Sequence, residues 1–476
     1  MYLGIDIGTS SIKGVLGLKS GIHTITGHYN KDMFNGGIHG VEYFLQSIQS
    51  FLIKISKFSY DKNEKVEGIG LSGHGPSILF IDKNGTPVTD IITWQDSSAH
   101  KEAEELNSMV PGFVKDGTSY EAKLFKFFKE NKRSFQEGTK VLSPKDYVIF
   151  LLTGKVVMDF ATASTLSFFK EENRMFDTYS TEIPTYVFPE IVDSWEEAGR
   201  TGTDYSRNSG MSDDIPVIAG GIDAWCEALG SGAIEDGMMV DGSGTSTCIT
   251  SCRLEGDSKL NHVIPGRSLV IETMSSTGAS ISWLMDLLDG GIEEVKNISS
   301  YIPVPVVYLP FLDGERSPVW DERASASFTG ITSKNNRKDL IKSVLQGIAF
   351  GTRQCIQLVR KESNSRDLCI RAVGGGANNR AFLQFKANIT GLKYISMKET
   401  DAAPLGAMIL AAFSCGEESV EELVRKWVQI NFEVKPDSKY KKIWDRMFSI
   451  YTDHYYKIKE TSHKLFTLAQ ELEKYN

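Results

Sequence analysis

No stretch of the 476-residue chain approaches the roughly 20 consecutive apolar residues that a membrane-spanning helix needs, so no membrane partner is expected. Cysteine is scarce: there are six, all from Cys226 onward, and only Cys248 and Cys252 lie close together. That spacing excludes a disulfide scaffold and a zinc site of the usual ligand set, and predicts reduced, mostly buried thiols. Clustered positive charge is missing too. With a net charge of −9 and no Lys/Arg-rich run, a nucleic-acid partner is not expected. The chain has no low-complexity segment and no Pro/Gly/Ser-rich linker. Its first residues already read as a strand, so no signal or transit segment is expected and the predicted location is cytoplasmic.

What is present is an ordinary globular composition, 41% hydrophobic and 24% charged, in a chain long enough for two or three domains. The opening stretch from Met1 to Leu16 reads as a β-hairpin. One apolar run ends near Asp6, a turn follows at Gly8-Thr9-Ser10, and a second apolar run leaves from Ser11. A tip of glycine and small hydroxyl residues lets backbone N–H groups approach an oxyanion, and Asp6 can hold a divalent cation beside it. An ordinary polar hairpin is the competing reading. Lys13 is expected to point from the second strand into solvent.

Further on, Ile22–Thr26 reads as a strand, 41–58 as an amphipathic helix and Val66–Ser72 as a strand. Ile78–Asp82 and Ile91–Trp94 are expected to form one hairpin around Lys83-Asn84-Gly85. Helices are predicted over 101–109 and 121–132. Another starts at the cap Ser143, with Pro144 at its first position, and stops at Gly154. A helix over 161–169 follows. The strand Ile215–Ala219 leads through Gly220-Gly221-Ile222-Asp223 into a helix. Later elements are helices over 281–288, 338–360, 380–389, 402–413, 420–427 and 439–474, with strands over 306–310 and 369–373.

The stretch from Met239 to Ile249 repeats the opening: strand, Gly244-Thr245-Ser246, strand. Gly242 stands where the first copy has Asp6. Two α/β halves, each opened by a phosphate-tolerant hairpin but with one carboxylate between them, suit one nucleotide bound in a cleft between domains. Asp223 lies at a strand end before a helix, where a carboxylate stays ionised and can take a proton from a substrate hydroxyl. The alternative is a helix cap, although the two preceding glycines suggest close approach by a ligand. Gly374-Gly375-Gly376, followed by Ala377, Asn378 and Asn379, connects a strand to a helix and suits a ring or phosphate against the backbone. That loop is not Gly-x-Gly-x-x-Gly, and no Gly-x-x-x-x-Gly-Lys-Ser/Thr occurs. His74, Trp94 and Asp96 are candidates to line a pocket for a polyhydroxylated ligand. A surface loop for His74 and a cap for Asp96 are the alternatives.

Taken together and in order, these segments resemble the FGGY carbohydrate kinases, within the actin, hexokinase and Hsp70 superfamily. The resemblance rests on Asp6-x-Gly-Thr-Ser10, Gly70-Leu-Ser-Gly73, Trp94-x-Asp96, Leu142-Ser-Pro-Lys-Asp-Tyr147, Ala219-Gly-Gly-x-Asp223 and Gly244-Thr-Ser246. Pro310-Phe-Leu-x-Gly-Glu-Arg-Ser-Pro-x-Trp-Asp321, Ala326-x-Phe-x-Gly-Ile331 and Gly374-Gly-Gly376 complete it. It implies two ribonuclease-H-like α/β domains, 1–229 with the sugar and 230–476 with the nucleotide, and ATP and Mg²⁺ in the cleft. It further implies Asp223 as general base, Asp6 at the metal, and Gly8, Thr9 and Ser10 at the γ-phosphate. Gly244 and Thr245 would touch phosphates, Gly375, Gly376 and Asn379 would hold the nucleotide, and His74, Trp94, Asp96 and Gly221 would meet the sugar. Where many members read Gly-Gln-Met-His-Gly, this chain has Gly73-His-Gly-Pro-Ser77, so Pro76 occupies the usual His position. Trp94 is followed by Gln95, and Lys123-Leu-Phe ends in Lys126 where the family has Trp. A xylulokinase-like pentulose kinase is the leading expectation. Gluconate, ribulose or glycerol as substrate, a non-catalytic ATP sensor, and a homodimer all stay open.

Overall fold

The computed structural model describes residues 1–132, 135, 138–254, 260–361, 369–416 and 418–473. They fall into two compact units. The first holds Met1–Gly232, Ser258–Ser268 and Asp401–Trp427, and the second Ala233–Asp257, Leu269–Thr400 and Val428–Asn476.

The first unit is built on six strands: β1 (Tyr2–Ile7), β2 (Ser11–Leu18), β3 (Gly21–His28), β4 (Gly68–Gly73), β5 (Glu197–Arg200) and β6 (Pro216–Ile222). Their order across the sheet is β5-β6-β4-β1-β2-β3. β1, β4 and β6 are parallel neighbours, with Ile7 opposite Gly73 and Gly73 opposite Ile222. Parallel strands covered on both faces are apolar throughout, and β1 and β4 are buried almost end to end. The helix Val41–Lys62 covers one face with Phe44, Ile48, Phe51, Leu52 and Ile55. The helix Ala402–Cys415 lies so close to the sheet that a Cβ on Gly4 would sit 1.9 Å from Pro404 O, and one on Gly70 1.9 Å from Ala407 O. Only glycine permits that approach.

The second unit repeats this arrangement with β7 (Met239–Ser243), β8 (Thr247–Leu254), β9 (Arg267–Met274), β10 (Cys369–Val373), β11 (Lys393–Met397) and β12 (Ile430–Val434). Six of the seven strands of its sheet run β9-β8-β7-β10-β11-β12, the first unit's order in reverse listing. β7 and β8 form the hairpin, and β7, β10 and β11 are parallel neighbours. The long helix Arg337–Lys361 packs against β8, and Lys441–Glu473 packs against that helix and against Arg380–Thr390; Lys474, the expected end of the latter long helix, lies outside the described residues.

Most predicted elements are present within a few residues, with three differences. Leu79–Ile81 pairs with Lys140–Leu142, and Ile91–Ile92 with Ile38–His39; one bridge, Ile78 to Ile92, remains of the expected hairpin ladder. Its tight turn is formed, Gly85 N donating to Asp82 O at 2.9 Å, and short pairing follows around the Ile81–Pro87 bridge, with Asp82 N donating to Thr86 O at 2.9 Å and Val88 N to Phe80 O at 2.8 Å. The helix expected over 161–169 spans only Phe160–Ala163. There Ser164 and Thr165 donate their hydroxyls to Ala161 O and Thr162 O, local bonds that compete with helix continuation. Lys13 does not point freely into solvent: its ammonium meets Asp401 at 2.5 Å. All six cysteines are free; Cys226, Cys252 and Cys355 are buried and Cys415 is exposed.

Candidate active site

Because β1, β4 and β6 end at one level, the turn at Gly8, the loop at His74 and the residue Asp223 all leave the same edge of the first sheet. Carboxyl ends of parallel strands are where such sheets bind ligands. At this edge Asp6 is buried and accepts one hydrogen bond, from Ser72 Oγ at 2.8 Å. Burial pushes its carboxyl up to about 6, against the pull of Ser72 and Lys13. The turn beyond is closed by Gly8 N donating to Ser11 O at 3.1 Å, and Tyr29 OH donates to Gly8 O at 3.1 Å. Gly8 and Thr9 are half-buried and Ser10 is exposed.

Asp223 owes its place to a β-bulge. The β6–β4 register shifts between Ile218 and Gly221, leaving Ala219 and Gly220 opposite Leu71 alone. Gly220 has φ +71°, and a Cβ there would lie 1.6 Å from Leu71 O. A Cβ on Gly221 would lie 2.6 Å from Val263 Cγ1. The close approach that the sequence suggested for a ligand is therefore made by protein at both glycines. Asp223 is the first residue of the helix Asp223–Gly230, after the N-cap Ile222, and its Oδ1 accepts from Ala224 N at 2.8 Å. It is half-buried rather than a side-chain cap of the helix.

Behind the bulge lies a group the sequence reading did not single out. Lys145, fully buried, donates to Asp146 Oδ1 at 2.6 Å and Ala219 O at 2.8 Å, and pairs with Asp159 Oδ2 at 3.2 Å. Burial disfavours its charge, but the two carboxylates outweigh that and hold the ammonium above the ordinary lysine range. The helix Pro144–Thr153 presents Lys145. Its capping box joins Ser143 and Asp146, a sequence signal that was legible, whereas the inward turn of Lys145 was not.

The loop after β4 is enclosed, not on the surface. His74 is buried, and its Nδ1 lies 2.7 Å from Ser77 Oγ. Burial, His39 and Lys123 lower its pKa to about 3, so the ring is neutral. Ser77 Oγ also accepts Trp94 N–H at 3.0 Å, so one hydroxyl joins the His74 ring to the Trp94 backbone. Trp94 Nε1 donates to Thr9 Oγ1 at 3.0 Å, which brings the candidate sugar loop and phosphate turn together. Asp96 closes an Asx turn, accepting from Ser98 N and Oγ at 3.1 and 2.6 Å, ahead of the helix that begins at His100. Lys123, named from the sequence only as part of a motif, sends its buried ammonium to Pro76 O at 3.0 Å and Thr93 O at 2.6 Å. Burial lowers its pKa to about 7.

In the second unit the exposed turn Gly244-Thr245 is braced from behind: Gly278 N donates to Gly244 O at 3.0 Å, and Thr277 N and Ala279 N to Thr245 O at 2.9 and 3.1 Å. β7 and β10 end together, Gly242 opposite Val373, so the three-glycine loop leaves beside this turn. Its glycines differ in purpose. Gly374 (φ +77°) and Gly376 are pressed against Ser243, whereas a Cβ on Gly375 would meet nothing within 4 Å. Asn379 is buried and caps the helix Arg380–Thr390, its Oδ1 accepting from Phe382 N at 3.1 Å. Beneath the turn, Lys386 Nζ meets Asp241 Oδ2 at 2.7 Å and Ser243 Oγ at 2.6 Å.

Residues 1–230 match the FGGY family of carbohydrate kinases, N-terminal domain, and residues 242–415 match its C-terminal domain. This chain belongs to the FGGY family of carbohydrate kinases. It is an ATP-dependent carbohydrate kinase with the family's two-domain α/β fold. Over 98% of its length it is 26% identical to the xylulose kinase of Lactococcus lactis, covering 99% of that protein. It is also 26% identical to the glycerol kinase of Thermococcus kodakarensis, over 92% of this FGGY kinase and 93% of that one. The ligand-bound xylulose kinase structure from Lactobacillus acidophilus shares the fold with a TM-score of 0.86, at 22% identity over 97% of this chain and 99% of that one. No helix among the described residues is long and apolar enough to cross a membrane.

Proposed function

We propose that this FGGY kinase transfers the γ-phosphoryl group of ATP to a hydroxyl of a pentulose, D-xylulose first among them. The observation that carries this reading is the bulge at Gly220, which sets the half-buried Asp223 carboxylate at the strand edge shared with Asp6 and His74. Full-length likeness to xylulose kinases supports the choice of sugar.

In this reading Asp223 accepts the proton of the attacking sugar hydroxyl as the O–P bond forms and ADP leaves. The neutral His74 offers its ring Nε2 to a sugar hydroxyl, the contact that Pro76 does not make, and Asp96 and Gly221 also meet the sugar. Backbone N–H groups and hydroxyls of Gly8, Thr9 and Ser10 meet the γ-phosphate. On the second unit, Gly244 and Thr245 meet phosphate and Gly375, Gly376 and Asn379 hold the nucleotide, with the division of labour falling near residue 230. Gly375, open to approach, is the nucleotide contact best explained by its surroundings.

Asp6 suits Mg²⁺, which keeps several waters and takes one or two carboxylates plus phosphate oxygens. Among the described residues no group of three or more ligating side chains competes with that arrangement. When bound, the ion neutralises charge on the phosphates. The test is ADP release on a panel of pentuloses, hexuloses, aldonates and polyols. D-xylulose is expected to give the highest kcat/KM, and Asp223→Asn to lower kcat at least 10³-fold with an unchanged melting curve, on the order of what acid–base catalysis contributes. Absence of sugar-stimulated ADP release across the panel refutes the reading.

A further inference from the structure

Trp94 was expected as a wall of the sugar pocket, yet its polar end is directed elsewhere. Its indole N–H donates to Thr9 Oγ1 at 3.0 Å and its backbone N–H to Ser77 Oγ at 3.0 Å. Ser77 in turn holds His74 Nδ1 at 2.7 Å. The residues just before the two ends of the Ser77–Trp94 bond, Pro76 and Thr93, share one buried ammonium, that of Lys123, at 3.0 and 2.6 Å. Thr93 is anchored again through its hydroxyl to Gly37 O at 2.8 Å. A loop fastened at so many points moves as one piece, and a displacement at His74 reaches Thr9 through three hydrogen bonds.

From this geometry we infer that Trp94 is a positioning residue for phosphoryl transfer, linking the sugar loop His74–Ser77 to the phosphate turn through Thr9. The inference rests on the kinase reading above and adds a route by which the sugar side sets the phosphate side. Thr9 sits half-buried on the hairpin tip between Gly8 and the exposed Ser10, where its χ1 has more than one staggered direction for the hydroxyl. The indole N–H selects one. A hydroxyl bonded as acceptor to Trp94 also has its proton directed away from the indole and free to donate. Positioning of this kind acts on the transition state, where misplacement by an ångström is felt strongly, more than on sugar binding.

The test is a double-mutant cycle with Trp94→Phe, which keeps an aromatic ring and removes the donor, and Thr9→Val, which removes the acceptor. Each single variant is expected to lower kcat about tenfold with sugar KM changed by about twofold or less, and the double variant to lose no more than the worse single one. A tenfold rise in sugar KM with kcat preserved in Trp94→Phe, or losses that multiply in the double variant, overturns the inference. A second arm needs no turnover. In ¹⁵N-TROSY spectra of the ligand-free protein, the indole signal that Trp94→Phe removes is expected to shift in Thr9→Val and hold its position in Thr9→Ser. An unmoved signal in Thr9→Val overturns the link while leaving the kinase reading intact. Wild type that turns over no sugar overturns the kinase reading and with it the role in catalysis, whatever the indole signal shows.

Discussion

The buried carboxylate of Asp6 should make the FGGY kinase less stable than it need be, and Asp6→Asn should show by how much. Asp6 has one hydrogen-bond donor, Ser72, and no ion pair among the described contacts. Burial raises its carboxyl from 3.8 to about 6. Between those values the folded protein binds more protons than the unfolded chain, so this group makes unfolding easier as pH rises through the window. Its protonated form costs nothing relative to the unfolded chain, and above pH 6 the full difference of roughly two pKa units applies, about 3 kcal/mol. At pH 5 the same linkage gives about 1.6 kcal/mol. Asparagine keeps an oxygen for the Ser72 hydroxyl and carries no charge. The variant's advantage over wild type is therefore expected to grow by about 1.4 kcal/mol between pH 5 and pH 7.5. Urea unfolding of both proteins at the two pH values, without nucleotide or metal, measures it directly, and the difference between pH values cancels any fixed packing effect of the amide. The same variant should be inactive as a kinase. An advantage that is absent at pH 7.5, or equal at both pH values, refutes the argument that Asp6 is held ionised at a cost in stability.

Three further outcomes follow from the surroundings of named residues. Lys145→Met leaves Asp146 and Asp159 facing each other without their shared cation, and should cost about 3–5 kcal/mol in denaturant unfolding; a loss under about 1 kcal/mol would mean that water reaches the group. Gly375→Ala meets no neighbour within 4 Å and should leave the melting temperature unchanged while weakening ADP binding about tenfold by calorimetry. Gly220→Ala, with Leu71 O only 1.6 Å from the new Cβ, should fail to give folded protein. Gly375→Ala with unaltered nucleotide affinity would remove Gly375 from the site.

The parts of this structure that were legible in the sequence are those written by local chemistry. Apolar periodicity located the helix Val41–Lys62, and Ser143 with Pro144 and Gly154 located both ends of another. The repeated Gly-Thr-Ser turn announced two similar halves, which share one strand order. What was not legible depends on partners far along the chain. Gly220 reads as an invitation to a ligand until the Leu71 carbonyl is seen beside it. Lys123 and Lys145 look like solvated charges in sequence, since nothing nearby reveals that their ammonium groups are surrounded by carbonyls and carboxylates. Lys13 finds Asp401 across 388 residues of chain. Of the candidate site residues, those chosen for their chemistry lie at strand edges; the glycines, chosen for their smallness, divided into some that serve packing and some that stand open.

The two hairpins show why a duplicated turn came to serve two purposes. With Gly8 matched to Gly244, Asp6 falls on Gly242 and Ile5 on Asp241. Side chains alternate along a strand, so the two acids lie on opposite faces of equivalent strands. Asp6 stands on the face where, among the described residues, Ser72 is its one hydrogen-bond donor, and the pull of Lys13 offsets its burial only in part. Asp241 takes the core position of Ile5 and is met by Lys386, with Ser243 bonded to Thr247 at 2.9 Å and Thr247 to Thr277 at 2.7 Å. A charge already matched by a buried lysine has little left to give a ligand; an unmatched one carries a cost that a bound cation relieves. The first hairpin therefore keeps a carboxylate whose burial raises its pKa, whereas the second has turned its own into framework. Under the proposed function, that asymmetry favours Asp6 over Asp241 as the metal's carboxylate and leaves Gly244 and Thr245 to contact phosphate through backbone and hydroxyl alone.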